Sequence, residues 1–183
     1  MLAESTPTPR YALFVTGPPA SGKSSVAESI ATALPGFALL QKDPIKEALY
    51  DAMRESDPRA VTASRLLSDI ALRMLWALAP SSPRVILEGN FRTLDPQERQ
   101  HFQSLRANKL EVHCVCPFEV ALHRFAARAA NRHPAHTVHT LTPEIFRESQ
   151  SPFDLSPVIE VDTTKPLDLP PLLDRIRAHW PGL

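Results

Sequence analysis

The chain has 183 residues, 43% hydrophobic and 22% charged, with 20 basic and 20 acidic side chains in balance. That length and apolar content suit one domain with its own core. The zero formal net charge excludes attachment to nucleic acid through a broad basic surface but leaves room for a local basic channel.

No apolar run approaches the roughly 20 residues of a bilayer span, so no membrane partner is expected. The opening MLAESTPTPR has no apolar signal core. Residues 1–10 are therefore expected to be a disordered lead, and the protein cytoplasmic. YALFVTG is a short apolar strand ending at Gly17, and KSSVAESIATAL follows with Val26, Ile30, Ala33 and Leu34 at helical spacing. FALLQKD is a second strand stopping at Asp43. DPIKEALYDAM then starts a helix, with Asp43 placed to cap it and Pro44 at its first position. In TASRLLSDIALRMLWAL, a helix from Thr62, the row Leu66, Ile70, Met74 and Leu78 is assigned to the core, with Leu67, Ala71 and Leu75 beside it. Arg65, Asp69 and Arg73 are assigned to a solvated face, where i,i+4 pairs form.

RVILEG is a third strand, nearly continuous in apolar residues, as in a sheet covered on both sides. DPQERQHFQSLRA reads as a helix. LEVHCVC is a fourth strand with Cys114 and Cys116 on one face as reduced thiols. PFEVALHRFAARAANR is a helix with Leu122, Phe125, Ala126 and Ala129 inward; SPVIEVDT is a fifth strand; LPPLLDRIRAHW is the last helix. Strands alternating with helices imply right-handed crossovers: an α/β fold, a three-layer αβα sandwich around a five-stranded parallel sheet. Ligands of such sheets bind beyond the carboxyl ends of the strands, where Gly17, Asp43, Glu88 and Gly89 all fall.

The chain has only five glycines, and VTGPPASGKSS sets two of them in the pattern G-x-x-x-x-G-K-[ST] between a strand and a helix. Gly17 and Gly22 let the backbone curl so that its N–H groups form an anion nest. The helix start adds its positive end, Lys23 reaches the outer phosphates and the Ser24 hydroxyl ligates magnesium. Pro18 and Pro19 supply no N–H, which sets the cradle at Ala20, Ser21, Gly22, Lys23, Ser24 and Ser25.

GPPASGKSS, LLQKDPIKEALYD, VILEGNFR and an arginine-bearing helix running into NRHPAH, taken in that order, resemble the P-loop kinases. Within them the chain resembles the small phosphotransferases that include chloramphenicol phosphotransferase, zeta toxins and uncharacterised AAA-type ATP-binding proteins. The resemblance implies strand order 2-3-1-4-5 and one P-loop kinase domain over residues 11–183, with a helical lid at about 124–142. It implies ATP and Mg2+ as cofactors, and transfer of the γ-phosphoryl group to a hydroxyl of a small molecule. A nucleoside, nucleotide or 5′-hydroxyl polynucleotide kinase is the alternative enzyme, and a nucleotide-binding switch the alternative from another class. Neither the acceptor nor the oligomeric state is written in the motifs.

Asp43 is the candidate to orient the acceptor hydroxyl and take its proton. Glu88 either holds a metal-bound water, binds substrate or pairs with an arginine, and Asn90 and Arg92 line the acceptor pocket on the same rim. Arg124, Arg128 and Arg132 stand at i, i+4, i+8 opposite the apolar stripe. Arg128 and Arg132 are candidates for the charge on the transferred group and Arg124 for the nucleotide. His133, His136 and His139 recur at intervals of three, but Pro134 disrupts a helix there and no cysteine joins them, so a lid segment is preferred to zinc. The resemblance, which includes a similar His-Pro-x-His element, implies His133 or His136 as a substrate contact. Through the resemblance alone, Thr164 in DTTKP is assigned to the adenine.

Overall fold

The computed structural model describes residues 10–57, 64–138 and 140–181. Residues 1–9 of the expected lead, Thr62, Ala63 and His139 lie outside the described residues.

Five strands, β1 (Tyr11–Thr16), β2 (Ala38–Gln41), β3 (Arg84–Glu88), β4 (Asn108–Val115) and β5 (Val158–Asp162), form one sheet in the order β2-β3-β1-β4-β5. Every pairing is parallel, as the alternation of elements requires. β1 lies at the centre and is buried at all six positions. Its side chains alternate between the two faces. Leu13 and Val15 pack with Val26 and Ile30 of α1 (Lys23–Ala33) and with Leu172, Ile176 and Trp180 of and beyond α7 (Leu169–His179). Ala12 and Phe14 pack on the other face with Leu75, Trp76, Phe91, Phe102 and Phe153. The Phe14 and Phe102 ring centroids are 4.3 Å apart.

The other helices are α2 (Lys42–Ser56), α3 (Ser64–Leu78), α4 (Pro96–Ser104), α5 (Phe118–Ala127) and α6 (Pro143–Arg147). Among the described residues, none of the helices is long and apolar enough to cross a membrane. Cys114 and Cys116 are free thiols, and burial pushes the Cys114 thiol up to about 12.

Three helices differ from expectation in ways that matter for the site. On α3 the core row is Leu67, Ala71, Leu72, Leu75 and Trp76, while Leu66 is 57% exposed and Leu78 41%. Both rows satisfy helical spacing. Trp76 decides between them, because its ring packs 5.7 Å from Phe14 and its indole N–H donates to Glu98 at 3.0 Å. That rotation carries Asp69 to Arg92, which donates to it at 2.9 Å, in place of the expected pairing with Arg65 and Arg73. α2 begins at Lys42, behind a Gln41 that makes no side-chain cap bond, so Asp43 lies in the first turn and is not the cap. α5 stops at Ala127. Ala121 and Phe125 are its buried residues, whereas Leu122, Ala126 and Ala129 are exposed.

Candidate active site

The β1–α1 loop is fixed by its own backbone. Gly17, Ala20 and Gly22 take φ values of 139°, 61° and 86°. A Cβ on Gly17 would lie 2.6 Å from the Cys114 carbonyl oxygen, so the loop is seated directly on β4. The Ser21 amide, one of the expected phosphate donors, closes a turn by donating to the Pro18 carbonyl at 3.1 Å. Gly22, at the N-cap of α1, makes no side-chain cap bond. The first turn of α1 therefore keeps the backbone donors that a helix start offers to an anion.

The loop meets the end of β3 at one carboxylate. Lys23 is 8% exposed, donates to the Pro18 carbonyl at 3.3 Å and stands 4.0 Å from Glu88. Ser24 donates to Glu88 Oε1 at 3.3 Å and Gln41 to Oε2 at 3.5 Å. Burial pushes the Glu88 carboxyl up, and Lys23 acts against that. Where the sequence suggested an arginine partner, this side chain has a lysine, a serine and a glutamine.

These residues fit a nucleotide and its metal. A Cβ would fill the curl at Gly17, the cation of Lys23 is buried, and a hydroxyl and a carboxylate share the helix start. The Ser21 hydroxyl is buried without a hydrogen-bond partner among the described residues, an orphaned donor of the kind a bound polyanion would satisfy.

A cavity of about 770 Å³ opens from this loop toward α2, α3 and the segment after α5. Asp43, Asn90, Arg92, Arg128, Arg132 and His133 all line it, so the expected acceptor and lid residues share one space. Burial alone would raise the Asp43 carboxyl, but Lys42, Lys23, His136 and Lys46 outweigh it and hold the group below its usual range. Lys42 lies 3.6 Å from Asp43 and donates to Asn90 Oδ1 at 2.8 Å. Lys42 and Lys46 are 6% and 4% exposed and also line the cavity. The sequence reading missed both; their one signal is the i,i+4 spacing that puts them on one helix face.

The segment after α5 is tied down over the cavity. His136 Nε2 is 2.8 Å from Glu47 Oε1 and His133 Nε2 is 3.3 Å from Asp51, both on α2. His133 also meets the Tyr50 ring edge-on at 5.5 Å. Among the described residues no group of three or more ligating side chains could hold a metal ion.

The arginine row does not persist, because the helix ends before Arg128. Arg132 instead lays its guanidinium 3.7 Å over the Phe125 ring and donates to the Val138 carbonyl at 2.7 Å. Arg124 points away to a second hollow of about 280 Å³ and donates to the Thr163 carbonyl at 2.6 Å. Thr163 lines that hollow together with Gly22 and Ser25. Thr164 instead donates both its amide and its hydroxyl to Asp162.

A parallel sheet in this order, with a G-x-x-x-x-G-K-S loop between its central strand and the first helix, is the P-loop kinase fold. The chain belongs to the family AAA_33, described as an AAA domain, whose sequence pattern matches residues 13–150. It is similar to a protein from Chloroflexus aurantiacus j-10-fl assigned to the kinases, with 28% identity, a TM-score of 0.74, and 94% of this chain and 98% of that one covered. The fold is shared with a sugar kinase from Janibacter sp. HTCC2649 (18% identity, TM-score 0.60, 93% of each chain). It is also shared with shikimate kinase from Acinetobacter baumannii in complex with shikimate (20% identity, TM-score 0.54, 92% of this chain and 91% of that one). No curated protein matches the sequence.

Proposed function

We propose that the protein is an ATP-dependent, magnesium-dependent phosphotransferase acting on a hydroxyl of a small molecule, with residues 11–183 as one domain and about 124–142 as its lid. The observation that carries this reading is that Lys23 and Ser24, both held against Glu88, line one cavity together with Asp43. Bound magnesium–ATP would supply the phosphoryl group and the divalent charge. Lys23 and the loop amides up to Ser25 would hold the phosphates, and Ser24, with Glu88 through water, would hold the metal.

Asp43, kept ionised by its cationic neighbours, orients the acceptor hydroxyl and takes its proton. Arg132, braced on Phe125, and Arg128 present guanidinium groups to the charge that spreads over the transferred group. His133 and His136 hold the covering segment on α2, which keeps water from competing with the acceptor.

ADP release measured over a panel of alcohols, sugars, hydroxy acids and nucleosides tests this. Acceptor-stimulated turnover is expected, and Asp43→Asn is expected to keep nucleotide affinity while turnover falls about 10²- to 10⁴-fold. Full turnover by that variant removes Asp43 from its role. Nucleotide binding with no acceptor-stimulated turnover leaves a switch.

A further inference from the structure

The rotation of α3 that seats Trp76 in the core turns another stripe of the helix into the cavity. Arg65, Ser68, Asp69 and Leu72, at i, i+3, i+4 and i+7, all line it. The face that periodicity assigned to solvent is thus one wall of the space in front of Asp43.

Charge is spread unevenly over that space. With histidine counted as neutral, the phosphate loop, α1 and the segment after α5 contribute Lys23, Arg128 and Arg132 against Glu28. α2 contributes Lys42 and Lys46 against Asp43 and Glu47. The wall made by α3, the loop after β3 and the end of α6 sets Arg65 and Arg92 against Asp69 and Glu148. The cationic excess lies where phosphates would be held, and the other walls balance. An acceptor that is itself uncharged suits balanced walls, because an ion enclosed without a partner is costly.

On the α3 wall, Asp69 and Arg92 are fixed against each other but not saturated. One Arg92 nitrogen donates to Asp69 Oδ1 at 2.9 Å, with the two side chains partly exposed. Among the described residues neither side chain makes another hydrogen bond. A carboxylate oxygen and guanidinium N–H groups therefore remain for a ligand. An acceptor and a donor side by side match two neighbouring hydroxyls, one donating to Asp69 and the next accepting from Arg92. Lys42 occupies Asn90 Oδ1 at 2.8 Å and leaves the Asn90 amide nitrogen as a further donor. Leu72 and Ile145 add apolar surface for the C–H face of a ring.

We propose that the phosphoryl acceptor is an uncharged polyol, a sugar or sugar alcohol, whose vicinal diol is held by Asp69 and Arg92 while another hydroxyl is turned to Asp43. This rests on the phosphotransferase reading and narrows it. A single alcohol would leave the pair unpaired in a filled cavity, and an anionic compound would meet Asp69 and Glu148.

ADP release by the full chain is measured with ribose, glucose, mannitol and myo-inositol, each beside its deoxy analogues, and with propanol and gluconate. Binding of the same compounds is read separately by saturation-transfer NMR with a non-hydrolysable ATP analogue and magnesium. At least one uncharged polyol is expected to bind, and to exceed propanol, gluconate and one of its own deoxy analogues in kcat/KM by about tenfold or more. Asp69→Asn is expected to raise the KM of that polyol about tenfold, with a much smaller effect on kcat and on the deoxy analogue, which has already lost the contact. Arg92→Lys, which keeps the charge and removes the planar fork, is expected to shift KM in the same direction.

Release driven best by propanol or gluconate overturns the diol site and leaves the phosphotransferase reading intact. Failure of every polyol to bind overturns it too. So do equal losses on polyol and deoxy analogues in Asp69→Asn, the pattern of a purely structural pair. A polyol that binds the wild type and not Asp69→Asn, with no ADP release from any acceptor, leaves the diol site standing and the transfer reading fallen.

Discussion

Ser24 Oγ donates to Glu88 Oε1 across 3.3 Å, joining the first turn of α1 to the end of β3 from 64 residues away. A hydroxyl that ligates a hard cation and a carboxylate that holds the cation's bound water fit one site at that separation, the carboxylate supplying charge. Glu88→Gln keeps the shape and removes the charge. The magnesium needed for half-maximal ADP release is expected to rise about 10- to 100-fold, with metal-free nucleotide affinity little changed. An unaltered magnesium dependence would take Glu88 away from the metal.

Arg132 depends on a ring for its position. Its guanidinium lies 3.7 Å over Phe125 while it donates to the Val138 carbonyl at 2.7 Å. A lysine cannot stack in the same way or present a planar fork. Arg132→Ala is expected to lower kcat on the order of 10³-fold, and Arg132→Lys to recover little of that in steady-state assays. Full recovery by lysine would mean that a point charge suffices there.

What the sequence disclosed depended on how tightly local chemistry constrained each residue. Gly17, Gly22, Lys23 and Ser24 were legible because a loop curled around an anion admits few alternatives. The parallel sheet followed from the alternation of elements, and its strand order from the kinase resemblance. Lys42 and Lys46 were not legible, because lysine is almost never buried and spacing alone does not say that a helix face is turned into a cavity. The two apolar rows of α3 were equivalent by periodicity, and only the reach of Trp76 to Phe14 and Glu98 separates them. The arginine row failed because it assumed a helix that ends at Ala127.

Gly17 and Gly22 have different reasons for being glycine, and a pair of substitutions separates them. At Gly17 a Cβ would lie 2.6 Å from the Cys114 carbonyl and 2.8 Å from Ser21 Oγ, with φ at +139°. At Gly22 the nearest atom would be Thr163 Cβ at 3.5 Å, so the backbone angle is the main obstacle. Gly22→Ala is expected to cost about 1–2 kcal/mol. Gly17→Ala adds a backbone clash and is expected to cost about 2–4 kcal/mol, together with nucleotide affinity. Urea unfolding and nucleotide titration of both variants check the ranking; equal costs would refute it.

Behind the phosphate loop, Thr16, Glu111 and His113 are all fully buried, and their contacts fix how many protons they hold. His113 Nε2 lies 2.9 Å from the Gln150 carbonyl, an acceptor, so that nitrogen carries hydrogen. The 2.8 Å contact from His113 Nδ1 to Thr16 Oγ1 needs one hydrogen, and the 2.6 Å contact from Thr16 to Glu111 needs another. Three contacts take three hydrogens, one more than an ionised glutamate, a threonine and a neutral histidine bring. Burial agrees with this, since it raises the Glu111 carboxyl and lowers the His113 imidazole.

In the unfolded chain Glu111 loses its proton near 4.5 and His113 near 6.5. Between those values the unfolded pair also holds the extra proton, and the two residues cancel. Above 6.5 only the native state holds it, so stability falls with rising pH, by up to about 1.4 kcal/mol per unit, until the cluster ionises. Glu111→Gln supplies a permanent N–H donor to Thr16 and keeps an oxygen for the Phe153 amide, which reaches Glu111 at 3.0 Å. Urea midpoints from pH 6.5 to 8.5 are therefore expected to fall for the wild type and to lose most of that slope in Glu111→Gln. Parallel declines would show that the extra proton resides elsewhere.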